Sequence, residues 1–84
     1  MVASLMELRS WLEPVFEPDS DITHMIVKCD TYEHEGCCYP VYVGTTEDAR
    51  VKAAQNRDRT IEVYSRNVSK EAQLKPHQFV MNFD

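Results

Sequence analysis

The sequence is short of bases, of long apolar runs and of paired cysteines, and each shortage removes a class of function. Nine Lys and Arg stand against fourteen Asp and Glu, for a net charge of −5. A chain so charged lacks the electrostatic footprint of general phosphate affinity, so direct nucleic-acid binding is not expected, although Arg50, Arg57, Arg59 and Arg66 with Tyr64 could form a small basic and aromatic patch. Glu7 and Arg9 interrupt the N-terminal stretch, and no apolar run is long enough for a signal peptide or a membrane span. A cytoplasmic protein with no membrane association is the expectation. Three cysteines are an odd count without a secretory context, and a reducing compartment would keep them as thiols. Repeats, low-complexity tracts and dividing linkers are also missing, so residues 1–84 read as one domain.

What is present is ordinary for a folded chain. The apolar share is 43% and the charged share 27%, which argues against disorder. A domain this short hides only roughly 60% of its unfolded surface, so its core is thin. It should fold alone or with a copy of itself as a homodimer.

Residues 37–65 organise the chain. Val41 and Val43 alternate with Pro40 and Tyr42, and Ile61, Val63 and Ser65 alternate with Thr60, Glu62 and Tyr64, the period of half-buried strands. Between these strands, at 37–43 and 60–65, Thr45 is a good N-cap for a helix over 46–56, with Glu47 and Asp48 in its first turn. Ala49 and Ala53, with Val51 and Ala54 near them, make its inner side small. A strand, helix and strand of these lengths predict a right-handed crossover, with the two strands parallel in one sheet.

Upstream, Ser4 and Glu7 have capping-box spacing, and Leu5, Leu8, Leu12 and Val15 recur at helical intervals beside Trp11. Pro14 and Pro18 predict that this helix stops by Glu13 and passes into an extended acidic connector through Asp21. Residues 22–30 alternate Thr23, Met25, Val27 and Cys29 with His24, Ile26, Lys28 and Asp30, a strand with one wetter side. After a polar turn at 32–36, matching of apolar residues pairs Thr23 with Val43, Met25 with Val41, Val27 with Tyr39 and Cys29 with Cys37, and puts Lys28 beside Cys38. Pro40 cannot donate to a ladder, which makes its strand an edge or a bulged one. Ser69 should cap a short helix ended by Pro76, and Phe79 and Met81 should be the buried positions of a C-terminal strand. The predicted fold is therefore α+β: an N-terminal helix, a β-hairpin, a crossover helix and one or two further strands in a single small mixed sheet.

Candidate chemistry is thin. His24, Cys29, His34, Cys37 and Cys38 crowd thiol and imidazole groups together as a structural zinc site would, but adjacent Cys37 and Cys38 point to opposite faces of a strand. A set of Cys29, His34 and Cys37 at the hairpin end stays geometrically open, against a reading of Cys29 and Cys37 as small apolar core residues. Cys38 beside Lys28 could be an activated thiol, but no oriented His–acid pair accompanies it. Tyr42, Val43 and Gly44, followed by a threonine-capped helix bearing Arg50 and Lys52, are similar to the second half of the GIY-YIG nuclease motif. The first-strand tyrosine element and a later helical glutamate to hold a metal are not found, so no nuclease activity is read from the likeness. No catalytic residue, metal or cofactor is assigned, and the protein is expected not to be an enzyme.

Charge is the remaining signal. Residues 1–36 hold eight acids against Arg9 and Lys28, a balance of −6, and residues 37–84 hold six acids against seven bases, a balance of +1. Such asymmetry attracts a protein partner with a basic surface, though moderate negative charge also serves plain solubility. The expected function is a small acidic protein-binding module, an inhibitor or regulator of the kind that phage-encoded host inhibitors and immunity proteins exemplify. Its candidate partner-binding residues are Trp11, Phe16, Glu17, Asp19, Asp21, Glu33 and Glu35. Trp11 and Phe16 have core anchoring as the competing role. The alternative function is a metal- or redox-responsive accessory protein built on the Cys/His cluster of residues 24–38.

Overall fold

The computed structural model describes residues 4–29, 38–55, 59–75 and 80–84. Its elements run α1 (Leu5–Phe16), β1 (His24–Cys29), β2 (Cys38–Val43), α2 (Thr46–Ala54), β3 (Arg59–Ser65) and α3 (Lys70–Leu74). The strands form one sheet of order β2-β1-β3, with β1 antiparallel to both neighbours. The α+β class expected from the sequence is thus observed. β2 and β3 run parallel to one another across the α2 connection, but β1 lies between them.

Each helix begins where a small polar side chain can satisfy an orphan N–H. The Ser4 hydroxyl accepts from the Glu7 amide at 3.2 Å, Thr45 from the Asp48 amide at 2.9 Å, and Ser69 from the Ala72 amide at 3.2 Å. α1 does not stop at Glu13 but continues through Pro14 to Phe16. Pro14 gives up its bond to the Ser10 carbonyl, but Ser10 is exposed and water can serve that carbonyl, while the extra turn buries Val15 completely. The stop comes at Glu17, whose ψ of 140° is the extended geometry imposed by the following Pro18.

β1 is covered on both faces, and all six of its residues are buried. The wetter side expected for it does not exist. Met25 and Val27 pack with Leu8, Leu12 and Val15 of α1, Tyr64 of β3, Leu74 of α3 and Val80. On the opposite face Ile26 packs with Ala49 and Val63, with Ala53 and Phe83 alongside. Ala49 and Ala53 are inner positions of α2 as expected, whereas Val51 and Ala54 are exposed.

The hairpin register differs by one residue from the sequence expectation. His24 pairs with Val43, Met25 with Tyr42, Ile26 with Val41, Val27 with Pro40, Lys28 with Tyr39 and Cys29 with Cys38. A one-residue slip exchanges the faces of β2, so Val41 and Val43 lie under α2, and Lys28 is opposite Tyr39 rather than beside Cys38. The expected Cys29–Cys37 pair involves a residue outside those described. Pro40 sits on an edge strand, as its missing N–H requires.

Between β1 and β3 the register shifts after Val27: Glu62 pairs with Val27 and Thr60 with Lys28, which leaves Ile61 as the extra residue of a bulge. Ile61 consequently packs toward the α1 face although Val63 lies on the α2 face. The chain end runs beside β3, with Val63 N–H donating to the Val80 carbonyl at 2.7 Å and Asn82 N–H to the Val63 carbonyl at 2.9 Å. Its bridge to Val63 is parallel but isolated, beside a sheet whose three strands pair antiparallel. Val80 is the buried residue there and Met81 is half exposed, the reverse of the expected phase for Met81; Phe79 lies outside the described residues. No helix among the described residues is long and apolar enough to cross a membrane.

Among the described residues five buried side chains are polar, and three of them, Lys28, His24 and Gln73, tie the layers together. Lys28 Nζ donates to the Gln55 carbonyl at 3.2 Å and its register partner Thr60 donates to the Ala53 carbonyl at 2.8 Å, so both strands serve the negative end of α2. His24 binds Thr23 Oγ1 through Nδ1 at 2.8 Å and the Phe83 carbonyl through Nε2 at 2.9 Å. Because a carbonyl only accepts, Nε2 carries a proton. Gln73 accepts from the Ser65 amide and donates to the Ser65 and Val68 carbonyls, fastening α3 to β3. The exposed Arg9–Glu71 ion pair adds a link from α1 to α3 and holds the Glu71 carboxyl below its ordinary range.

Glu62 is the exception. Fully buried, it accepts from the Tyr64 hydroxyl at 2.9 Å through Oε1, while Oε2 has no partner among the described residues. Burial first, and then this bond, push the Tyr64 hydroxyl well above its ordinary pKa. Tyr64→Phe should cost about 1–3 kcal/mol, because it strips the carboxyl of its donor. Adding Glu62→Met should restore part of that loss, since removing both polar partners costs less than orphaning one. Urea unfolding of the two variants checks this; a double variant weaker than Tyr64→Phe alone contradicts it.

Candidate functional site

The region that gathers most of the sequence-predicted residues is the C-terminal end of α1 and the connector after it. Phe16 ends the helix half-buried against the α1-side core. Glu17, Asp19 and Asp21 follow and are exposed. Trp11, one turn earlier, is also half-buried against that core, and its carbonyl accepts from the Tyr42 hydroxyl at 2.7 Å. Both aromatics therefore have packing roles whatever else they touch. Glu33 and Glu35 lie outside the described residues.

The connector is built rather than loose. Ser20 N–H closes a turn onto the Glu17 carbonyl at 3.1 Å, and the Ser20 hydroxyl accepts from the Ile22 amide at 3.1 Å. Arg66, in the turn that leaves β3, then reaches across: its guanidinium donates to the carbonyls of Glu17 at 3.1 Å, Pro18 at 3.5 Å and Ser20. The Arg66 amide donates to the Thr23 carbonyl at 2.8 Å. One planar cation thus binds backbone oxygens on the inner side of the connector, where the carbonyls of a helix C-terminus collect negative potential. The carboxylates are left facing water.

This geometry carries an electrostatic cost. Acids are favoured at helix N-termini and disfavoured at C-termini. α1 has no base in its last turn, and Glu13, Glu17 and Asp19 crowd that end. Arg66 is the compensating charge, supplied from a distant part of the chain. Of the residues that could form a small basic and aromatic patch, Arg57 lies outside the described residues, and Tyr64 and Arg66 are committed elsewhere. Tyr64 is buried, Arg66 is engaged with the connector, and Arg50 lies over the Phe83 ring at 4.9 Å from its centroid. No local pattern around Arg66 signals its role, because its acceptors are backbone carbonyls 46–49 positions away.

The Cys/His cluster does not converge as a whole. His24 and Cys29 stand at opposite ends and on opposite faces of β1, and both ring nitrogens of His24 are engaged within the fold. Among the described residues no three His, Cys, Asp or Glu side chains are grouped to hold a metal ion. His34 and Cys37 lie outside them. Cys38 is opposite Cys29, not beside Lys28, so the ammonium expected to activate its thiol is on the other face.

Replacing Arg66 by alanine should lower stability by about 1 kcal/mol, the discounted value of charge-assisted bonds at a half-exposed site. It should also speed amide exchange in residues 19–22. Exchange rates unchanged in that segment would show that Arg66 does not order it. Compared with protein-family models, with curated proteins and with solved structures, the chain finds no match.

Proposed function

We propose that this chain is a small acidic, non-enzymatic protein-binding module, an inhibitor or regulator that meets a basic surface on a partner protein. The observation that carries the reading is the placement of Glu13, Glu17, Asp19 and Asp21, all exposed, around a helix end that electrostatics would fill with bases. Fold stability gains nothing from acids there. Solubility alone would be served equally well by acids elsewhere on the surface, whereas a preordered acidic ridge steers a basic partner. The connector backbone is held in place before any partner arrives, which reduces the ordering cost of binding. Phe16 and Trp11 give the ridge an aromatic border whose half-buried rings could be shared with the partner's apolar rim. The alternative, a metal- or redox-responsive accessory protein built on the Cys/His cluster of residues 24–38, has less support, since both ring nitrogens of His24 are engaged within the fold.

The test separates ridge from scaffold. The triple variant Glu17→Gln, Asp19→Asn, Asp21→Asn should fold with unchanged or slightly raised stability, by up to about 1 kcal/mol at low salt. Its association with the native partner, captured from the source cells and identified by mass spectrometry, should be slower, and less dependent on salt, than that of the wild type. A variant that binds this partner at the wild-type rate at every salt concentration overturns the proposal, and a loss of stability would show that the acids serve the fold.

A further inference from the structure

We propose that β2 is the pairing edge of a two-fold homodimer, in which the strand meets its copy antiparallel across Tyr42 and the two sheets become one. Among the described residues β2 has no strand on its outer side. Its backbone phase follows from the Val43 carbonyl, which accepts from the Thr23 amide at 2.9 Å and so faces β1; by alternation the polar groups of Val41 face β1 as well. Tyr42, between them, turns its N–H and C=O outward. Pro40 shares the phase of Tyr42, so the N–H it lacks costs the β1–β2 ladder nothing.

The composition of the edge selects the occupant. Exposed edges are ordinarily blunted by charged side chains, lysine above all. Residues 37–46 contain no Asp, Glu, Lys or Arg, the longest such run in a sequence that is 27% charged. A two-fold axis sets the central side chains of a strand beside their own kind, where like charges repel, so an uncharged run is what pairing with a second copy requires. Centred on Tyr42, the pairing forms two reciprocal hydrogen bonds between the Tyr42 N–H and C=O groups and brings the two Tyr42 rings together on the α1 side. On the α2 side it sets Val41 against Val43 of the copy. Pro40 falls opposite Gly44, which has no side chain to meet its ring, whereas an axis at Pro40 would put two missing donors at the centre. Tyr42 is 36% exposed and both valines are half-buried, so the copy covers what α1 and α2 leave open.

A contact of one short strand buries less than the roughly 800 Å² per partner of a standard interface, which puts the association in the micromolar range or weaker. The dimer does not rest on the acidic ridge, and salt separates the two. Screening relieves the repulsion between two chains of net charge −5 and tightens the dimer, whereas it weakens the steering of a basic partner.

The experiment uses the full-length chain with a reducing agent present, followed by sedimentation equilibrium and by amide exchange in NMR over a range of protein concentration. The expected result is a monomer–dimer equilibrium that tightens as salt is raised. With rising concentration the Tyr42 amide should become protected, while the amides of Val41 and Val43, already bonded to β1, should not change. Tyr42→Lys, which sets two ammonium groups across the axis, should weaken the dimer about tenfold. Tyr42→Phe gives up only the bond to the Trp11 carbonyl and should dimerise as the wild type does. Circular dichroism checks the fold of both variants, and if Tyr42→Lys does not fold, the wild-type exchange data decide alone. A monomer at every concentration and salt overturns the proposal, as does a dimer that leaves Tyr42 amide exchange unchanged or that Tyr42→Lys, still folded, does not weaken.

Discussion

The fold depends on β1 being buried on both faces. A six-residue strand in that position must match an apolar layer on each side and find a partner for every polar group it carries inward. His24 and Lys28 are the two polar side chains it takes in, and their hydrogen bonds reach the elements that cover them. His24 reaches the Phe83 carbonyl and so draws the chain end across the sheet; Lys28 reaches the Gln55 carbonyl and so fixes where α2 ends. Thr60, paired with Lys28 through the bulged register, completes the attachment of α2 from β3. Two side chains that a hydropathy scale would place in water are thus what position the covering layer.

Local signals were legible in the sequence wherever one residue decides the outcome. Ser4, Thr45 and Ser69 are the observed caps, Pro40 lies on an edge, and the α+β class follows from the alternation of periods. Legibility failed where tertiary burial outweighs a local preference. Pro14 breaks helices in isolation, but Val15 gains a fully buried site if α1 continues past it. Lys28 looked solvent-facing because of its charge, yet its long stem crosses an apolar layer and its ammonium meets a helix end. The hairpin register was misjudged by one residue because β2 offers side chains of similar size on both faces: Tyr39, Val41 and Val43 against Cys38, Pro40 and Tyr42. The same ambiguity at the chain end made Met81 rather than Val80 the expected buried residue.

The candidate site was half legible. Composition exposed the acidic excess and its concentration in the first part of the chain, and the exposed placement of Glu17, Asp19 and Asp21 agrees with that. Arg66 was invisible, because a guanidinium that binds carbonyls leaves no trace in the identity of the residues it touches. Its recruitment from the far side of the chain offsets the acids at the end of α1. That contact, together with the Ser20 turn, orders the backbone that carries Glu17, Asp19 and Asp21.

Amide hydrogen exchange followed by NMR tests the central claim, that a doubly covered β1 holds the structure together. The claim predicts that the amides of Met25, Ile26, Val27 and Lys28 exchange most slowly in the molecule, through global unfolding alone, with those of the edge strand β2 faster. Exchange in β1 as fast as in β2, or maximal protection in α1 or α2 with β1 unprotected, would contradict it.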